Sequence, residues 1–374
     1  MKKLLLIKKD LTLIIGFFLG IILLYLFLPK NKISFNDLAY EEYTKRVMGY
    51  VNGERVHCND LDDIYLCVES YKKNGSGNPV ILWFGNSQLH SINSYTQGDE
   101  TASSLLHMAL RKKGYYLITF SQPNANLQEH YLLFSYLLNQ FPVKNLILST
   151  VYDDMREDEI RTSINKTLED AYVLNEVDKT TIGKNLIINY KKKYLINNDT
   201  IAREETNHDY WENLINKKLE KIWPLWSERD LLRGHLFYNL YLLRNTILGI
   251  DATTIRKKIL GPYIKNMTAY KEILNLAEKK KIGILVYIQP IRNDMKIPYD
   301  LNEYNLFKKE IATISEISGA YFSNLENIVP NEFWGQTASI NLKNYKDLDF
   351  MHFQAEGHQL LSKNILYEFN KINK

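Results

Sequence analysis

The sequence predicts an α/β fold in which helices cover both faces of a parallel sheet. Two observations lead to this prediction: apolar runs of strand length alternate with helical patterns, and polar residues follow the ends of several of these runs. Strands separated by helices of this length are typical of βαβ units, which build parallel sheets. In such sheets the reactive groups gather beyond the carboxyl ends of the strands.

The alternation begins after a loop rich in Gly, Ser and Asn that ends at Pro79. Unbroken apolar runs indicate the strands, and apolar residues at intervals of three and four indicate the helices. Gly114 ends the first helix. The predicted elements are a strand at Val80–Phe84, a helix at Thr101–Lys113, a strand at Tyr115–Phe120, a helix at Leu127–Leu138 and a strand at Asn145–Val151.

The same rhythm returns near the carboxyl terminus, where charged residues and Gly283 close the first helix before the next strand begins. These later elements are a helix at Ala269–Lys280, a strand at Ile284–Ile288, a helix at Leu306–Ile317, a short strand at Ala320–Phe322 and a closing helix over residues 358–371.

Between about residues 158 and 262 the strand rhythm lapses. Apolar residues recur there at helical spacing: Leu232, Leu236, Leu240, Leu243 and Ile247. We interpret this segment as a helical cap inserted near the cleft. Its tryptophans, at positions 211, 223 and 226, are expected to pack the cap onto the core, and a glycan-binding surface is the alternative.

The amino terminus carries an uncharged stretch from Leu11 to Leu28, preceded by four lysines. Eighteen apolar residues suffice for a transmembrane helix. The basic excess places residues 1–30 as a cytoplasmic tip and anchor, with a lead-in at 31–75 and the α/β domain at 76–374 outside the membrane. A cleaved signal peptide is the alternative. Gly16 and Gly20 would allow two such helices to pair, although small residues are common in membrane spans.

The composition argues against some classes of protein. With 45% hydrophobic residues and a net charge of +4 over 374 residues, the chain is globular and shows no basic patch typical of nucleic-acid binding. Its two cysteines, Cys58 and Cys67, either form a disulfide or remain free thiols. They lack the spacing of a metal site, and no metal or other cofactor is predicted.

Two short motifs suggest nucleophilic chemistry. Gly85-Asn86-Ser87-Gln88 follows the first strand, so that a turn there would present the Ser87 hydroxyl to the cleft. Asp349 precedes His352 by three residues, and on a helical or turn-like loop the carboxylate would orient the imidazole as a base. A surface aspartate and a structural histidine are the alternative. His358 is close by but falls in the closing helix.

These motifs resemble the first and last blocks of the SGNH (GDSL-type) hydrolase superfamily over about residues 80–370, with Asn86 where the family usually has Asp. The resemblance implies a flavodoxin-like three-layer α/β/α sandwich, here with the helical insertion and the transmembrane helix added. It also implies that Ser87 is the nucleophile, His352 the general base and acid, and Asp349 the residue that orients His352.

The middle blocks of that family are not matched. Residues 121–126 contain no glycine, and residues 150–154 contain no asparagine. The oxyanion hole is therefore predicted from the Ser87 N–H with the amide of Asn124 or Asn126, which are otherwise turn residues. Asp153 and Arg292 are candidate substrate-binding residues. The alternatives are an ion pair or helix cap for Asp153 and a solvated loop position for Arg292.

In architecture, an SGNH-like domain on a membrane anchor is similar to proteins that act with membrane-bound O-acyltransferases on surface polymers. We therefore expect a membrane-anchored, extracytoplasmic serine esterase or O-acyltransferase that acts on an acylated glycan or cell-wall polymer through acyl-Ser87. A membrane-bound O-acyltransferase is its expected partner. The alternative is a non-catalytic scaffold or glycan-binding protein of the same fold.

Overall fold

The computed structural model describes residues 43–195 except position 48, then 207–222, 229–343 and 346–372, together with positions 16, 19, 20 and 226. These residues fall into two compact units. One comprises residues 40–201 and 250–374, and the other comprises residues 1–39 and 202–249.

The larger unit is built on a six-stranded sheet in which every neighbouring pair of strands is parallel. Its strands in chain order are β4 (His57–Cys58), β5 (Val80–Gly85), β7 (Tyr116–Ser121), β8 (Val143–Thr150), β9 (Gly283–Ile288) and β10 (Tyr321–Asn324). Their spatial order is β10-β9-β8-β5-β7-β4. Without the edge strand β4 this is the 2-1-3-4-5 order of flavodoxin, which reverses direction between β5 and β8.

Among the residues that the structure describes, six further strands lie outside this sheet. They are β1 (Thr44–Arg46), β2 (Tyr50–Val51), β3 (Glu54–Arg55), β6 (Ser91–Asn93), β11 (Trp334–Thr337) and β12 (Asp347–Phe353). They pair antiparallel as β1 with β6, β2 with β3, and β11 with β12.

The α-helices of the larger unit are α1 (Ile64–Asn74), α2 (Ala102–Arg111), α3 (Leu127–Leu137), α4 (Thr162–Asn165), α5 (Ala171–Val177), α6 (Thr181–Tyr190), α9 (Leu260–Lys279), α10 (Leu301–Ile317) and α11 (Ala355–Ile372). Helices α2 and α11 share a hydrophobic cluster with one face of the sheet. Helices α1, α3, α9 and α10 share a second cluster with the other face. The unit is therefore the three-layer α/β/α arrangement that the resemblance implied.

Strand β5 shows why these residues form the centre of the sheet. All six of its residues are buried. Val80, Leu82 and Phe84 pack into one cluster, whereas Ile81 and Trp83 pack into the other. Successive side chains of a strand point to opposite faces, so a central strand with helices on both sides must be apolar throughout.

Most of the predicted lead-in lies among the residues that the structure describes. Residues 43–75 belong to the larger unit, where β4 pairs with β7 and α1 buries Ile64 and Tyr71. The sequence signal was weak because β4 is only two residues long and α1 is rich in polar residues. The domain boundary at residue 76 stays a prediction.

Cys58 of β4 and Cys67 of α1 form a disulfide, and both residues are fully buried. This settles the alternative that the sequence left open. The bridge joins the edge strand of the sheet to the helix that follows it.

The predicted insertion at 158–262 does not form one block. Helices α4 to α6 contribute Ile164, Val173 and Leu186 to the core of the larger unit, and α9 begins at Leu260. The smaller unit contains helices α7 (Asn207–Ile222) and α8 (Arg229–Ile247). A cap over the cleft stays a prediction.

Within the smaller unit, Trp226 Nε1 donates a hydrogen bond to Asn216 Oδ1 (3.0 Å), and Arg229 forms an ion pair with Glu220 (3.0 Å). Trp211 is exposed, and Trp223 lies outside the described residues.

The predicted membrane localisation is corrected by the structure. Among the residues that the structure describes, no helix is both long enough and apolar enough to cross a bilayer. The predicted anchor at residues 11–28 lies outside the described residues except for positions 16, 19 and 20, which include the two glycines of the proposed helix-pairing segment. The membrane-bound O-acyltransferase partner was expected because of this anchor and loses its basis with it.

Opening the disulfide should destabilise the larger unit. For a bridge that spans nine positions, the loss of chain restraint in Cys58→Ala/Cys67→Ala should lower the free energy of unfolding by about 2–3 kcal/mol. Urea denaturation followed by circular dichroism measures the change. The single variant Cys67→Ala should show most of the loss, since it already opens the bridge. A double variant as stable as the wild type would contradict the expectation.

Candidate active site

Gly85 and Asn86 fix the conformation of the turn that carries Ser87. Strand β5 ends at Gly85, where an added Cβ would lie 2.5 Å from Leu89 Cδ1. Asn86 then caps a 3₁₀ turn over Ser87–Leu89, and its Oδ1 accepts a hydrogen bond from the Gln88 N–H at 3.1 Å. The sharp turn places Ser87 just beyond the carboxyl end of the central strand, beside the point where the strand order reverses.

The structure brings Ser87, His352 and Asp349 together. Ser87 Oγ lies 2.9 Å from His352 Nε2, and His352 Nδ1 lies 3.0 Å from Asp349 Oδ2. The three residues are 5%, 9% and 5% exposed, respectively. A hydroxyl, an imidazole and a carboxylate in this order can transfer the hydroxyl proton to the imidazole while the carboxylate stabilises the resulting positive charge.

Asp349 is held as a carboxylate. Burial alone would raise its pKa, but the charge of His352 and hydrogen bonds from His352 and Met351 outweigh burial and lower it. Asp349 Oδ1 accepts the backbone N–H groups of Met351 (2.8 Å) and His352 (2.9 Å). Asp349 Oδ1 therefore fixes the backbone of residues 351 and 352, and Oδ2 orients the imidazole of His352.

Asp349 and His352 were expected on a helical or turn-like loop, but they lie in strand β12. The strand is irregular: Trp334 pairs with Phe353 and Gln336 pairs with Leu348, so two steps along β11 face five steps along β12. A bulge of this kind bends the chain. Together with the two backbone bonds to Asp349 Oδ1, it lets residues three apart meet although the segment is extended.

Two further residues hold this arrangement, and no pattern in the sequence indicated their roles. Gln88 Nε2 donates to the carbonyl oxygens of Pro290 (3.0 Å) and Met351 (2.6 Å), which ties the serine turn to the histidine strand. Asn93 Nδ2 donates to Asp349 Oδ2 at 3.3 Å and to the carbonyl oxygen of Gln336 at 2.9 Å. Both side chains are fully buried.

The structure places the two predicted amide donors of the oxyanion hole at and just before the start of helix α3. Asn126 caps helix α3 in a capping box with Glu129, and its Nδ2 donates to the Glu159 carbonyl oxygen at 2.9 Å. Asn124 is exposed in a left-handed turn conformation with φ of 52°. Both residues are thus the turn residues of the alternative interpretation. The Ser87 N–H remains available as a donor, because it lies in the first turn of a helical segment.

The candidate substrate-binding residues are also engaged elsewhere. Arg292 forms a two-bonded ion pair with Asp294 (2.5 and 3.0 Å) and donates to the Gly335 carbonyl oxygen, so its charge is already neutralised. Asp153 forms ion pairs with Arg156 and Arg256. The ion-pair interpretation of Asp153 therefore describes it, and neither residue supports the predicted role.

A second serine and two histidines lie beneath the site. Ser121, at the end of β7, has its Oγ 2.7 Å from His57 Nε2 and 2.7 Å from His90 Nδ1. Burial lowers the pKa of His57 to about 3, with Arg55 adding to the effect and the Ser121 contact opposing it. All three side chains are buried, and Ser121 keeps only 2% of its surface exposed. This cluster is closed to a substrate and supports the turn above it.

His358 is a structural residue. Its Nδ1 accepts the Ala102 N–H at 3.1 Å, so its proton is on Nε2, which contacts the Ser91 carbonyl oxygen at 3.1 Å. Burial lowers its pKa to about 4. It links helices α2 and α11 to strand β6, and it is distinct from the histidine that contacts Ser87.

Comparison with known proteins gives a limited result. No protein-family model and no curated protein matches the chain. Its backbone is similar to the acetylxylan esterase Axe2 from Geobacillus stearothermophilus and to a catalytic mutant of it, each with 8% identity over 78% of this chain and 94% of the other, at TM-scores of 0.34 and 0.36. An active-site mutant of a family two carbohydrate esterase from Clostridium thermocellum shows 9% identity over 78% of this chain and 63% of the other, at a TM-score of 0.34. Likeness at this level carries no conclusion about activity.

The buried state of His358 predicts a pH dependence of stability. An unfolded histidine takes up a proton below about pH 6.5, whereas His358 in the folded protein does so only near its pKa of about 4. Between about pH 6.5 and about pH 4 the unfolded state therefore binds more protons than the folded state. Lowering the pH through this range reduces the free energy of unfolding. Between pH 7.5 and 4.5, His358→Gln should lose about 2–3 kcal/mol less unfolding free energy than the wild type. Urea titrations at both pH values measure this difference. Equal losses would contradict it.

Proposed function

We propose that this chain is a serine esterase that removes acyl groups from a carbohydrate through an acyl-Ser87 intermediate. The observation that carries the proposal is the unbroken line of contacts from Ser87 Oγ to His352 Nε2 (2.9 Å) and from His352 Nδ1 to Asp349 Oδ2 (3.0 Å). Distances of this size are those of a nucleophile with its base and of a base with its orienting group.

The reaction proceeds in two halves. Ser87 Oγ attacks the ester carbonyl while its proton moves to His352 Nε2, and the carbonyl oxygen becomes an oxyanion. When the oxyanion collapses, the bond to the sugar oxygen breaks and His352 returns its proton to that oxygen. Water then gives a proton to His352 and attacks the acyl carbon. The bond between the acyl carbon and Ser87 Oγ breaks, His352 returns the proton to Ser87 Oγ, and the acyl group leaves as a carboxylic acid.

As the site for the carbohydrate we propose a cavity of about 620 Å³, which is lined mainly by the loop that follows β9 and by the start of helix α10. This loop begins at Pro290, whose carbonyl oxygen Gln88 binds. Amide and carboxyl side chains, among them Asn293, Asp300 and Asn302, line the cavity together with aliphatic residues. A pocket with an apolar wall and a few polar groups suits the hydroxyls and ring faces of a sugar.

Acyl transfer would use the same intermediate, with a sugar hydroxyl in place of water. The first half of the reaction is unchanged, so the two outcomes separate only when the acyl-enzyme meets its acceptor. Mass spectrometry of an acylated oligosaccharide incubated with a second, unacylated oligosaccharide distinguishes released acid from transferred acyl group.

One observation favours a non-catalytic alternative. The amides predicted to complete the oxyanion hole, Asn124 and Asn126, are turn and capping residues. Loss of one oxyanion donor typically costs about 10²–10³ in kcat. A scaffold or glycan-binding protein that retained the fold would show the same departure, and the labelling experiment below separates the two functions.

A fluorophosphonate probe should label the wild type at Ser87. Ser87→Ala should abolish labelling and lower the rate of ester hydrolysis by a factor on the order of 10⁴ or more, as for other serine hydrolases that lose the nucleophile. Ser121→Ala is the matched control, because Ser121 also contacts two histidines but is closed to the probe. It should retain labelling. A folded wild type that does not label would favour the non-catalytic alternative.

His352→Ala should abolish turnover with little effect on folding. The imidazole accepts the serine proton, so the rate should fall as far as in Ser87→Ala. Because His352 lies in the hairpin of β11 and β12 and outside both hydrophobic clusters, the unfolding free energy should change by only about 1–2 kcal/mol. Hydrolysis of a nitrophenyl ester and urea denaturation measure the two effects. Retained turnover in a folded His352→Ala would exclude it as the base.

A further inference from the structure

The proposed reaction needs an oxyanion donor besides the Ser87 N–H, and the strand beside β5 offers one. Strand β8 pairs with β5 in parallel, so the segments that follow the two strands emerge at the same edge of the sheet. Ser87 opens the 3₁₀ turn after β5, and Asp154 opens the 3₁₀ turn Asp154–Arg156 after β8. The two residues therefore flank the reversal in strand order, where ligands of such sheets bind.

Asn86 connects the two turns directly. Its Nδ2 donates to Asp154 Oδ2 at 3.0 Å. Its Oδ1 accepts from the Gln88 N–H (3.1 Å) and from Gln289 Nε2 (3.0 Å), so both ends of the amide are fixed. The Asp154 carboxyl group is thus held against the residue immediately before Ser87. Its other oxygen has no hydrogen-bond partner in the part of the chain that the structure describes.

The surroundings of Asp154 favour its neutral form. The residue is 7% exposed and forms no ion pair among the described residues. Burial raises its pKa well above the usual value, and the charge of Asp153 adds to this effect. The other titratable or charged groups around it are Glu157, Arg161 and Tyr299. Arg161 is already paired with Glu129. Burial without a paired cation favours the neutral form of a carboxyl group.

We propose that Asp154, as a neutral carboxylic acid, donates a hydrogen bond to the oxyanion that forms when Ser87 attacks the ester. This inference rests on the proposed esterase function. One carboxyl oxygen accepts from Asn86, and the other carries the proton that faces the developing charge. The proton remains on Asp154 throughout: the electron pair of the carbonyl moves to oxygen on attack and returns when the sugar oxygen leaves. Asp154 would thus take the place of the asparagine that residues 150–154 lack.

Two substitutions at one position test the assignment. Asp154→Asn keeps an acceptor for Asn86 and a donor for the oxyanion, so its kcat should stay within about tenfold of the wild type. Asp154→Ala removes the donor, and its kcat should fall by about 10²–10³ with little change in KM. Glu157→Gln is the matched control, since it is the same change from acid to amide at an exposed position near the same turn, and its kcat should not change.

The pH dependence of kcat tests the same assignment, because a purely structural role of Asp154 would not change it. Asp154 is protonated at low pH, and as pH rises through its raised pKa it loses the donated proton and gains a negative charge beside the oxyanion. The kcat of the wild type should therefore fall at alkaline pH, and Asp154→Asn should lack this decline. This comparison still decides the question if Asp154→Ala does not fold.

These experiments can contradict the role of Asp154 without contradicting the proposed esterase function. A wild type that hydrolyses esters and labels at Ser87, together with a folded Asp154→Ala of unchanged kcat, overturns the role of Asp154 alone. An Asp154→Asn variant as slow as Asp154→Ala, or one with the alkaline decline of the wild type, also overturns it. A folded wild type that neither labels nor hydrolyses overturns the proposed function and this inference together.

Discussion

Ser87 and His352 are 265 residues apart in the chain, and the 2.9 Å contact between them requires two unrelated segments to be held to within a few tenths of an ångström. The sheet fixes only one of these segments, because Ser87 follows the central strand directly. The other belongs to a separate hairpin of β11 and β12. Gln88 joins the two through its bond to the Met351 carbonyl oxygen. Because Gln88 is fully buried, this bond is shielded from competing water.

Two buried carboxyl groups near Ser87 have pKa values shifted in opposite directions. Asp349 is lowered in pKa by an imidazole and two backbone N–H groups, so it stays ionised. Burial and the charge of Asp153 raise the pKa of Asp154, which has one amide donor, so its surroundings favour the neutral form. Environments that push apart the pKa values of like groups are a general means of assigning different tasks to the same side chain. Here one carboxyl group suits the stabilisation of a cation, and the other suits donation to an anion.

Much of the fold was predictable because its strands are apolar on both faces. Val80–Phe84 and Ile284–Ile288 are unbroken apolar runs, and both form interior strands of the parallel sheet. The edges were not predictable in the same way. Strand β4 is two residues long and takes its place from pairing with β7, and β12 is a bulged strand whose polar residues hide its extended backbone. Short or irregular strands are decided by their neighbours more than by their own sequence.

The sequence by itself determined the residues with reactive groups, since a serine after a strand and an aspartate three residues before a histidine are chemical features of the chain. It did not determine which polar residues support them. Asn124 and Asn126 had the right chemistry, but the start of helix α3 uses Asn126 as its cap, whereas Asn93 and Gln88 acquired their roles from distant partners. Asp154 became distinctive only through its burial next to Asn86. Hydrogen-bond partners and desolvation depend on what packs around a side chain, so only the tertiary structure could decide them.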